Sequence, residues 1–314
     1  MDTSRKVEDI VDAAAEELGH DYARAISWLR RRRTIEVLTR LIAERKYEAL
    51  LDADGIERVA DVLSRVKGKA HQAAGKSVAD YIAGRLDQPV NYDRVNALAV
   101  ARTEQNRLAM VRSITAEQRQ VVSQILIEGS RQGLNPKTKA RDIKGSIGLT
   151  PHQQEIVQNY RTSLETNSQD ALDRKLRDAR FDGAIEAAIE NDKKLPKAKV
   201  DQMVAAYERK FIAHRAESIA RTEALRSAHQ GAQDNWNSAV QQGTIDQTEV
   251  ERTWRHGPKR KYSRDSHVKM SGQKRRLGEP FIADDGTELM YPCDPSAPAK
   301  HTIRCTCAVV TRLR

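Results

Sequence analysis

The sequence contains few of the residues that build a large globular core. Aromatic residues make up 4% and hydrophobic residues 39% of the 314 positions, whereas charged residues make up 31%. This composition favours elongated helices that bury narrow apolar stripes over one large core. The sequence has no run of eighteen apolar residues, so it predicts no membrane-spanning helix.

Cysteine is also rare. The three cysteines are too few, and too oddly numbered, for the disulfide framework of a small secreted domain. The N-terminal residues lack the apolar stretch of a secretory signal peptide. We therefore expect synthesis in a reducing cytoplasm, with thiols that start out reduced. Phosphate-binding loops, dinucleotide fingerprints and hydrolase motifs are missing as well, so we expect no catalytic activity.

Positive charge is concentrated in the last part of the chain. The formal net charge is +10, and residues 251–314 contain 14 basic and 7 acidic side chains. Such a patch predicts salt-sensitive, sequence-tolerant binding to double-stranded DNA, with an acidic protein surface as the alternative target. Trp254 and Tyr262 lie among the basic residues. The predicted DNA-binding residues are Arg255, Lys259, Arg260, Lys261, Arg264, Lys274, Arg275 and Arg276.

The first 245 residues have the apolar spacing of helices. The longest segment without a strong breaker, 196–242, predicts a helix about 67 Å long, which needs a bundle or another subunit to bury its apolar residues. Thr150 followed by Gln153 predicts a capping box, and Thr115 followed by Gln118 predicts that a helix restarts there. The four arginines at 30–33 are interpreted as a solvated or DNA-facing collar.

The pattern changes after Gly243 to short extended pieces, with a hairpin turn predicted at 284–286. The predicted fold class is mainly α: an elongated helical body with a very long helix, followed by a small mixed α+β or β-rich C-terminal module. The predicted domains are an N-terminal helical region (1–90), a central helical domain (91–245) and a basic C-terminal module (246–314).

An Ala-Arg-Thr-Glu motif occurs twice, at 101–104 and at 220–223. Helical spacing predicts that Glu104 pairs with Arg107 and that Glu223 pairs with Arg226. It also offers Arg221 as a partner for Glu217. Two interpretations stay open: ordinary salt bridges on helix surfaces, or a buried Arg–Glu network that joins two helices.

The thiols and one imidazole suggest a metal site. Cys293, Cys305 and Cys307 with His267 form a Cys3His set of the kind that binds Zn²⁺ tetrahedrally, and His301 and His256 are substitute ligands. Metal binding can supply the folding free energy that a segment poor in apolar residues lacks. The Cys-x-Cys spacing is tighter than that of zinc knuckles. The alternatives are three free thiols, or a disulfide between Cys293 and one of the other two.

The order of these motifs resembles the phage head morphogenesis family, the Mu F-like minor head proteins. The resemblance covers about 140–314 and departs from the family pattern at Thr306, usually Arg, and at Cys293, often Gly. It also includes Ile-Gly-Leu-Thr at 147–150. Its main motifs are Ala-Arg-Thr-Glu at 220–223 with Arg221 and Glu223, Trp254, Arg264 with His267, Gly272, Glu279, Phe281, Tyr291, Asp294, Cys305 and Cys307.

The resemblance implies a minor capsid protein in the head interior of the virion, made in the host cytoplasm and present in several copies per head. Its implied partners are the portal protein, the major capsid or scaffolding protein and packaged DNA, and its implied role is head assembly, packaging or ejection. The motif residues are expected to hold the C-terminal module together. The alternatives are a zinc-dependent, nuclease-like enzyme in that module and a purely structural spacer inside the head.

Overall fold

The computed structural model describes residues 3–87, 90, 97–257 and 263–314. It confirms a mainly α fold with one long helix and a small strand-containing C-terminal region. None of the helices in these residues is both long and apolar enough to cross a membrane. The α-helices are α1 (Thr3–Arg32), α2 (Ile35–Ala43), α3 (Ala53–Leu86), α4 (Ala97–Arg131), α5 (Pro136–Ser146), α6 (Pro151–Glu165), α7 (Asp182–Glu190), α8 (Lys197–Gln241), α9 (Asp265–Met270) and α10 (Ala299–Thr302).

Local sequence signals account for several helix ends. The capping box at the start of α6 is confirmed, because Thr150 Oγ1 accepts from the Gln153 backbone N–H and the Gln153 side chain accepts from the Thr150 N–H. Helix α8 begins and ends within one residue of the predicted bounds. It stops where Gly243 adopts a φ of 69°, a left-handed conformation that suits glycine.

The predicted restart of a helix at Thr115 is wrong. Helix α4 runs through this position without interruption. Gln118 does not cap the helix; its buried side-chain amide donates to the backbone carbonyl of Leu149 at 3.1 Å. A capping-box pattern inside a helix that already has its backbone hydrogen bonds leaves the side chains free for tertiary contacts.

The strands of the described residues lie in the C-terminal region. They are β1 (Val250–Arg255), β2 (Lys274–Arg276), β3 (Phe281–Ile282), β4 (Glu288–Leu289) and β5 (Ala308–Leu313). Strand β1 is the centre of a three-stranded antiparallel sheet in the order β2-β1-β5. Strands β3 and β4 form a separate hairpin, and the turn predicted at 284–286 is confirmed, with Gly286 at a φ of 81°.

The described chain forms two compact units, each built from separate stretches of sequence. The first unit comprises 1–22, 61–107 and 216–314, and the second comprises 23–60 and 108–215. The linear division at 90 and 245 that the sequence suggested does not coincide with these units, because α1, α3, α4 and α8 each contribute residues to both.

The core of the first unit joins the sheet to two long helices. Trp236 of α8 is its largest side chain, and Tyr81 of α3 packs edge-on against it with ring centroids 5.9 Å apart. Fully burying one large apolar side chain stabilises a fold by about 1.5–3 kcal/mol. The buried core residues are Val78, Ile82, Trp236, Ala239, Ile245, Val250, Leu277 and Leu313.

The core of the second unit includes a cluster formed by α2, α4, α5 and the short 3₁₀ turn Tyr47–Leu50. Helix α2 supplies an apolar stripe at helical spacing, which is what its sequence predicts for a half-buried helix. The buried residues of the cluster are Leu38, Leu41, Ile42, Leu50, Val121, Val122, Ile125, Ala140 and Ile143.

The arginine run at 30–33 is solvated at two of its four positions. Arg31 and Arg32 are exposed, as a solvated collar requires. Arg30 lies 3.4 Å from Glu208, and burial raises the pKa of that carboxyl to about 7 although Arg30 opposes the shift. Arg33 donates to the carbonyl of Leu51 at 2.8 Å. The collar interpretation is wrong for Arg30 and Arg33, because both are partly buried and bind acceptors within the second unit.

Gly231 marks a close approach of α8 to α3. A Cβ added there would lie 2.1 Å from the backbone carbonyl oxygen of His71, which a side-chain rotation cannot relieve. We expect Gly231→Ala to lower the free energy of unfolding by about 1–3 kcal/mol, as overpacked sites do. Urea denaturation measures this change.

The matched control for Gly231→Ala is Gly68→Ala in α3, where an added Cβ meets nothing within 4 Å. This substitution should raise stability by about 0.4–1 kcal/mol, because alanine restricts the unfolded chain. An equal loss in the two variants, or no loss at position 231, would contradict the close packing of α3 and α8.

Candidate metal centre

Strand β1 turns three side chains inward. Val250, Arg252 and Trp254 alternate with partly exposed residues, as the two-residue period of a strand requires. The guanidinium of Arg252 donates to Gln233 Oε1 at 2.7 Å, and also to the backbone carbonyls of Met290 and Glu279. Burial lowers the pKa of Arg252 to about 10. Arg252 is not among the residues predicted from the sequence, although an arginine in line with two apolar strand positions is a signal for it.

The aromatic residues of the resemblance come together on this face. The Trp254 ring contacts Phe281 edge-on at 5.3 Å and His267 edge-on at 5.5 Å between centroids. The indole Nε1 of Trp254 is buried and finds no oxygen or nitrogen acceptor. A buried N–H without such an acceptor is costly, and the group that this N–H faces is the Cys307 thiol.

Arg264 immediately precedes helix α9, and His267 lies within it. Arg264 donates to the backbone carbonyls of Lys300, at 2.5 Å, and Ile303, and so fastens α10 beside α9. His267 lies in α9 and is 1% exposed. Its Nδ1 is 3.4 Å from Cys305 Sγ and 3.5 Å from Cys307 Sγ.

These three residues form a buried cluster that can hold a metal ion. Their ligand atoms all lie within 4.8 Å of one another. In tetrahedral zinc coordination, bond lengths of about 2.3 Å to sulfur and 2.0–2.1 Å to nitrogen place the two ligand atoms about 3.6 Å apart. The sulfur-to-nitrogen distances at His267 match this separation, so the donor set fits a tetrahedral metal in both chemistry and spacing.

The two thiols of the cluster differ in acidity. The neighbouring Cys293 and Cys307 side chains lower the pKa of Cys305, against the opposing effect of burial. The hydrogen bond to Cys305 and burial raise the pKa of Cys307, while the Gly257 backbone N–H and the Trp254 indole lower it. Cys305 is therefore the first of the two thiols to ionise. The Gly257 and Trp254 N–H groups can stabilise a negative charge on Cys307.

Cys293 stands apart from the three-residue cluster, although the sequence predicts it as a ligand. Its Sγ lies beside Cys305 but donates to the backbone carbonyl of Thr302 at 3.0 Å. Burial raises its pKa, which favours the protonated thiol. All three cysteines are free and buried.

His301 has a different role from the substitute ligand that the sequence suggests. Its Nδ1 lies 3.2 Å from His267 Nε2, and its Nε2 lies 2.9 Å from Asp285 Oδ2. Because Asp285 can only accept, the proton of His301 belongs on Nε2, and Nδ1 accepts from His267 Nε2–H. This leaves the lone pair of His267 Nδ1 facing the thiols, as in metal sites whose histidine is oriented by an outer partner.

The other candidate histidine does not join the cluster. His256 Nε2 lies 2.8 Å from the Ser263 hydroxyl. The next residue, Gly257, approaches the cysteines, because a Cβ added there would lie 2.0 Å from the backbone carbonyl oxygen of Thr306. Glycine at this position lets the chain pack against the Cys-x-Cys segment.

The second Ala-Arg-Thr-Glu motif forms a largely buried charge network that joins two helices, with Lys67 instead of an arginine as the partner from the other helix. Glu223 in α8 pairs with Lys67 of α3 and with Arg226 at 2.5 Å. Burial acts to raise the pKa of Glu223, but Lys67 and Arg226 outweigh it and the pKa is lowered. Arg226 in turn donates to the backbone carbonyl of Cys293 at 2.9 Å. The motif thus connects two helices to the cysteine loop.

The neighbouring residues of the motif extend these contacts. Thr222 Oγ1 accepts from the backbone N–H of Arg304 at 2.9 Å. Arg221 pairs with Asp12 of α1 at 2.7 Å, and Glu217 pairs with Arg304 at the same distance, so the predicted Glu217–Arg221 pair gives way to these partners.

The first copy of the motif, at 101–104, contributes Glu104 to an ion pair on a helix surface. Glu104 and Arg107 form the predicted pair at 2.7 Å, and Asp61 lies 3.3 Å from the same arginine. An exposed pair of this kind contributes little to stability, because water and salt screen it.

Acidic residues of the resemblance hold turns. The Asp294 carboxylate accepts from the Met290 backbone N–H at 2.7 Å and from the Ser296 backbone N–H at 2.9 Å. The Glu279 carboxylate accepts from the Arg276 backbone N–H at 2.8 Å. These residues stabilise the loops that surround the cluster, as expected of motif residues that organise a module. Tyr291, in the same loop as Asp294, is half-buried.

Several predicted DNA-binding residues already have partners in the first unit. Arg255 pairs with Glu8, Lys274 lies 3.2 Å from Glu251, and Arg275 donates to the carbonyl of Pro280 at 2.9 Å. Arg264 holds α10, as described above. Arg276 is exposed on β2. Lys259, Arg260 and Lys261 lie outside the described residues, as does Tyr262.

We expect Asp285→Asn to weaken metal binding by about 10-fold, the lower end of the effect of losing an outer partner, because Asp285 acts on the candidate ligand His267 through His301. Lys300 and His301 hold the pKa of Asp285 well below its usual range, so the carboxylate is ionised when it accepts from His301. Competition with a chromogenic chelator under reducing conditions measures the affinity. The control is Asp284→Asn, which removes only an exposed pair with Lys269 at 2.9 Å; an equal loss in both variants would contradict the role of Asp285.

No protein-family model matches the chain, and no match was found among curated proteins or solved structures.

Proposed function

We propose that this protein is a minor head protein of a phage, which works by docking and assembly without catalysis. One observation carries the proposal: motif residues that are far apart in the sequence meet around a single buried cluster. Helix α8 supplies the Ala-Arg-Thr-Glu motif, β1 supplies Trp254, α9 supplies His267, and the last loop supplies Cys305 and Cys307.

The proposed metal is Zn²⁺ in a structural site. Two thiolates and an imidazole are ligands that zinc prefers, and zinc keeps the geometry tetrahedral without redox chemistry. When bound, the ion supplies folding free energy to a region whose strands are short and whose core is small. His267, Cys305 and Cys307 would hold it, oriented by His301 and Asp285.

The burial of the cluster favours a structural role over the nuclease-like alternative. The three candidate ligands are at most 2% exposed. A catalytic zinc site keeps an open position for water or substrate, whereas a structural site is closed. A phosphodiester therefore has no route to this cluster in the described residues.

The proposed partners are the portal protein, the major capsid or scaffolding protein and packaged DNA, in the head interior. Helix α8 is 45 residues long and is shared by both units, which gives the protein an extended element for docking. The excess positive charge of 251–314 favours DNA, which binds basic surfaces through its phosphates without regard to sequence.

Co-expression with the portal protein of the same phage tests the assembly role. We expect the full chain to co-purify with the portal ring in a fixed ratio, and Cys305→Ser/Cys307→Ser to lose this association because the C-terminal region loses its metal. Asp284→Asn serves as the control and should assemble normally. A chain that folds and stays a monomer in the presence of portal and shell proteins would contradict the proposal.

The DNA-binding role predicts a salt-dependent affinity. We expect Lys274→Ala/Arg276→Ala to reduce the slope of log K against log salt by about 1 for each phosphate that the variant no longer neutralises. Both side chains are exposed on β2. The control is Lys175→Ala/Lys194→Ala, which removes two exposed lysines of the second unit. Equal slopes for the two double variants, measured by fluorescence anisotropy with duplex DNA, would remove β2 from the DNA-binding surface.

A further inference from the structure

One face of α8 is turned toward the C-terminal region. Thr222, Arg226 and Gln233 all make hydrogen bonds to it: Thr222 with Arg304, Arg226 with Cys293 and Gln233 with Arg252. Their spacing of four and seven residues places them along one side of the helix. His229 lies three residues after Arg226 and four before Gln233, so it belongs to the same face.

The His229 side chain is buried, and its Nε2 has no polar partner. It is 5% exposed, and its Nε2 makes no hydrogen bond. Burial lowers the pKa of His229 to about 4, and the charge of Cys305 opposes this shift. A buried imidazole nitrogen without a partner is costly, because it has given up water and gained nothing in return.

We propose that His229 is the fourth ligand of the metal centre, which completes a Cys2His2 set with Cys305, Cys307 and His267. This inference rests on the zinc site of the proposed function. The His229 ring lies outside the three-residue cluster, although Cys305 is close enough to affect its pKa, and ligation would require its unpartnered Nε2 to reach the ion. The ligand explains why a polar side chain is buried on this face of α8.

Charge also favours His229 over Cys293 as the fourth ligand. A Zn²⁺ ion with two thiolates and two neutral imidazoles carries no net charge, whereas a third thiolate leaves a buried negative charge. Cys293 would also have to give up the hydrogen bond that its thiol donates to Thr302. His229 gives up no hydrogen bond.

Ligation by His229 would tie the long helix directly to the C-terminal region. The cysteines belong to the loop before β5, and His267 belongs to α9, whereas His229 lies in the middle of α8. Metal binding would then fix the position of the strand-containing region on α8, in addition to stabilising that region itself.

Cobalt substitution of the reduced full-length chain tests the ligand set. The variants are His229→Gln, His229→Cys and Cys293→Ser, and His152→Gln is the control, because His152 is 80% exposed on α6. The absorption spectrum of bound Co²⁺ reports tetrahedral geometry, and its sulfur-to-cobalt charge-transfer bands increase with each thiolate. Competition with a chelator gives the Zn²⁺ affinity.

We expect His229→Gln to lower the Zn²⁺ affinity by more than about 100-fold, beyond the loss of an outer partner. His229→Cys should keep a tetrahedral Co²⁺ spectrum and gain charge-transfer intensity, which shows that the position is a ligand even if the glutamine variant folds poorly. Cys293→Ser and His152→Gln should match the unmodified chain.

The opposite pattern overturns the inference. If Cys293→Ser loses charge-transfer intensity, and neither substitution at His229 changes the spectrum, Cys293 is the fourth ligand and the zinc site of the proposed function stands without His229. If the unmodified chain binds neither Zn²⁺ nor Co²⁺, both the inference and the zinc site fail. The portal experiment remains an independent test of the assembly role.

Discussion

The buried carboxylate of Glu223 is the constraint on which the first unit depends. A charge in this position is tolerated only with partners, and Lys67 and Arg226 provide them from two helices. Because Arg226 also binds the carbonyl of Cys293, the same charge network sets where the cysteine loop lies on α8. Removing one partner leaves an unpaired buried charge, so the helices and the loop are fixed together.

Much of the fold was predictable because its signals are local. The period of apolar residues gave the bounds of α8, and the Thr150 cap gave the start of α6. The turn at Gly286 and the strands on either side of it follow from turn chemistry and alternation. Residue type and spacing also brought His267, Cys305 and Cys307 to attention, since thiols and imidazoles are few and have distinctive chemistry.

The other parts of the fold and of the site could not be predicted from local signals, because they depend on contacts between residues that are distant in the sequence. Strand β2 has no apolar alternation to predict it; its basic side chains are tolerated because an edge strand needs only the backbone of β1. In the sequence, Arg252 has the character of a surface residue. In the fold, its guanidinium donates to Gln233 and to two backbone carbonyls. The pairing of His301 with Asp285 likewise joins segments whose proximity no single helix or strand implies. The two units could not be predicted for the same reason: each is built from stretches that are distant in sequence and in contact in the fold.

Strand β5 has a consequence for synthesis. It pairs along its whole length with β1, and Leu313 lies in the same core as Trp236 of α8 and Val78 of α3. The first unit also contains residues from α1, at the other end of the described chain. The unit can therefore close only after the ribosome has released β5, long after α1 has been made. Until then its long helices expose apolar faces, and chaperones or assembly partners have a period in which to bind them.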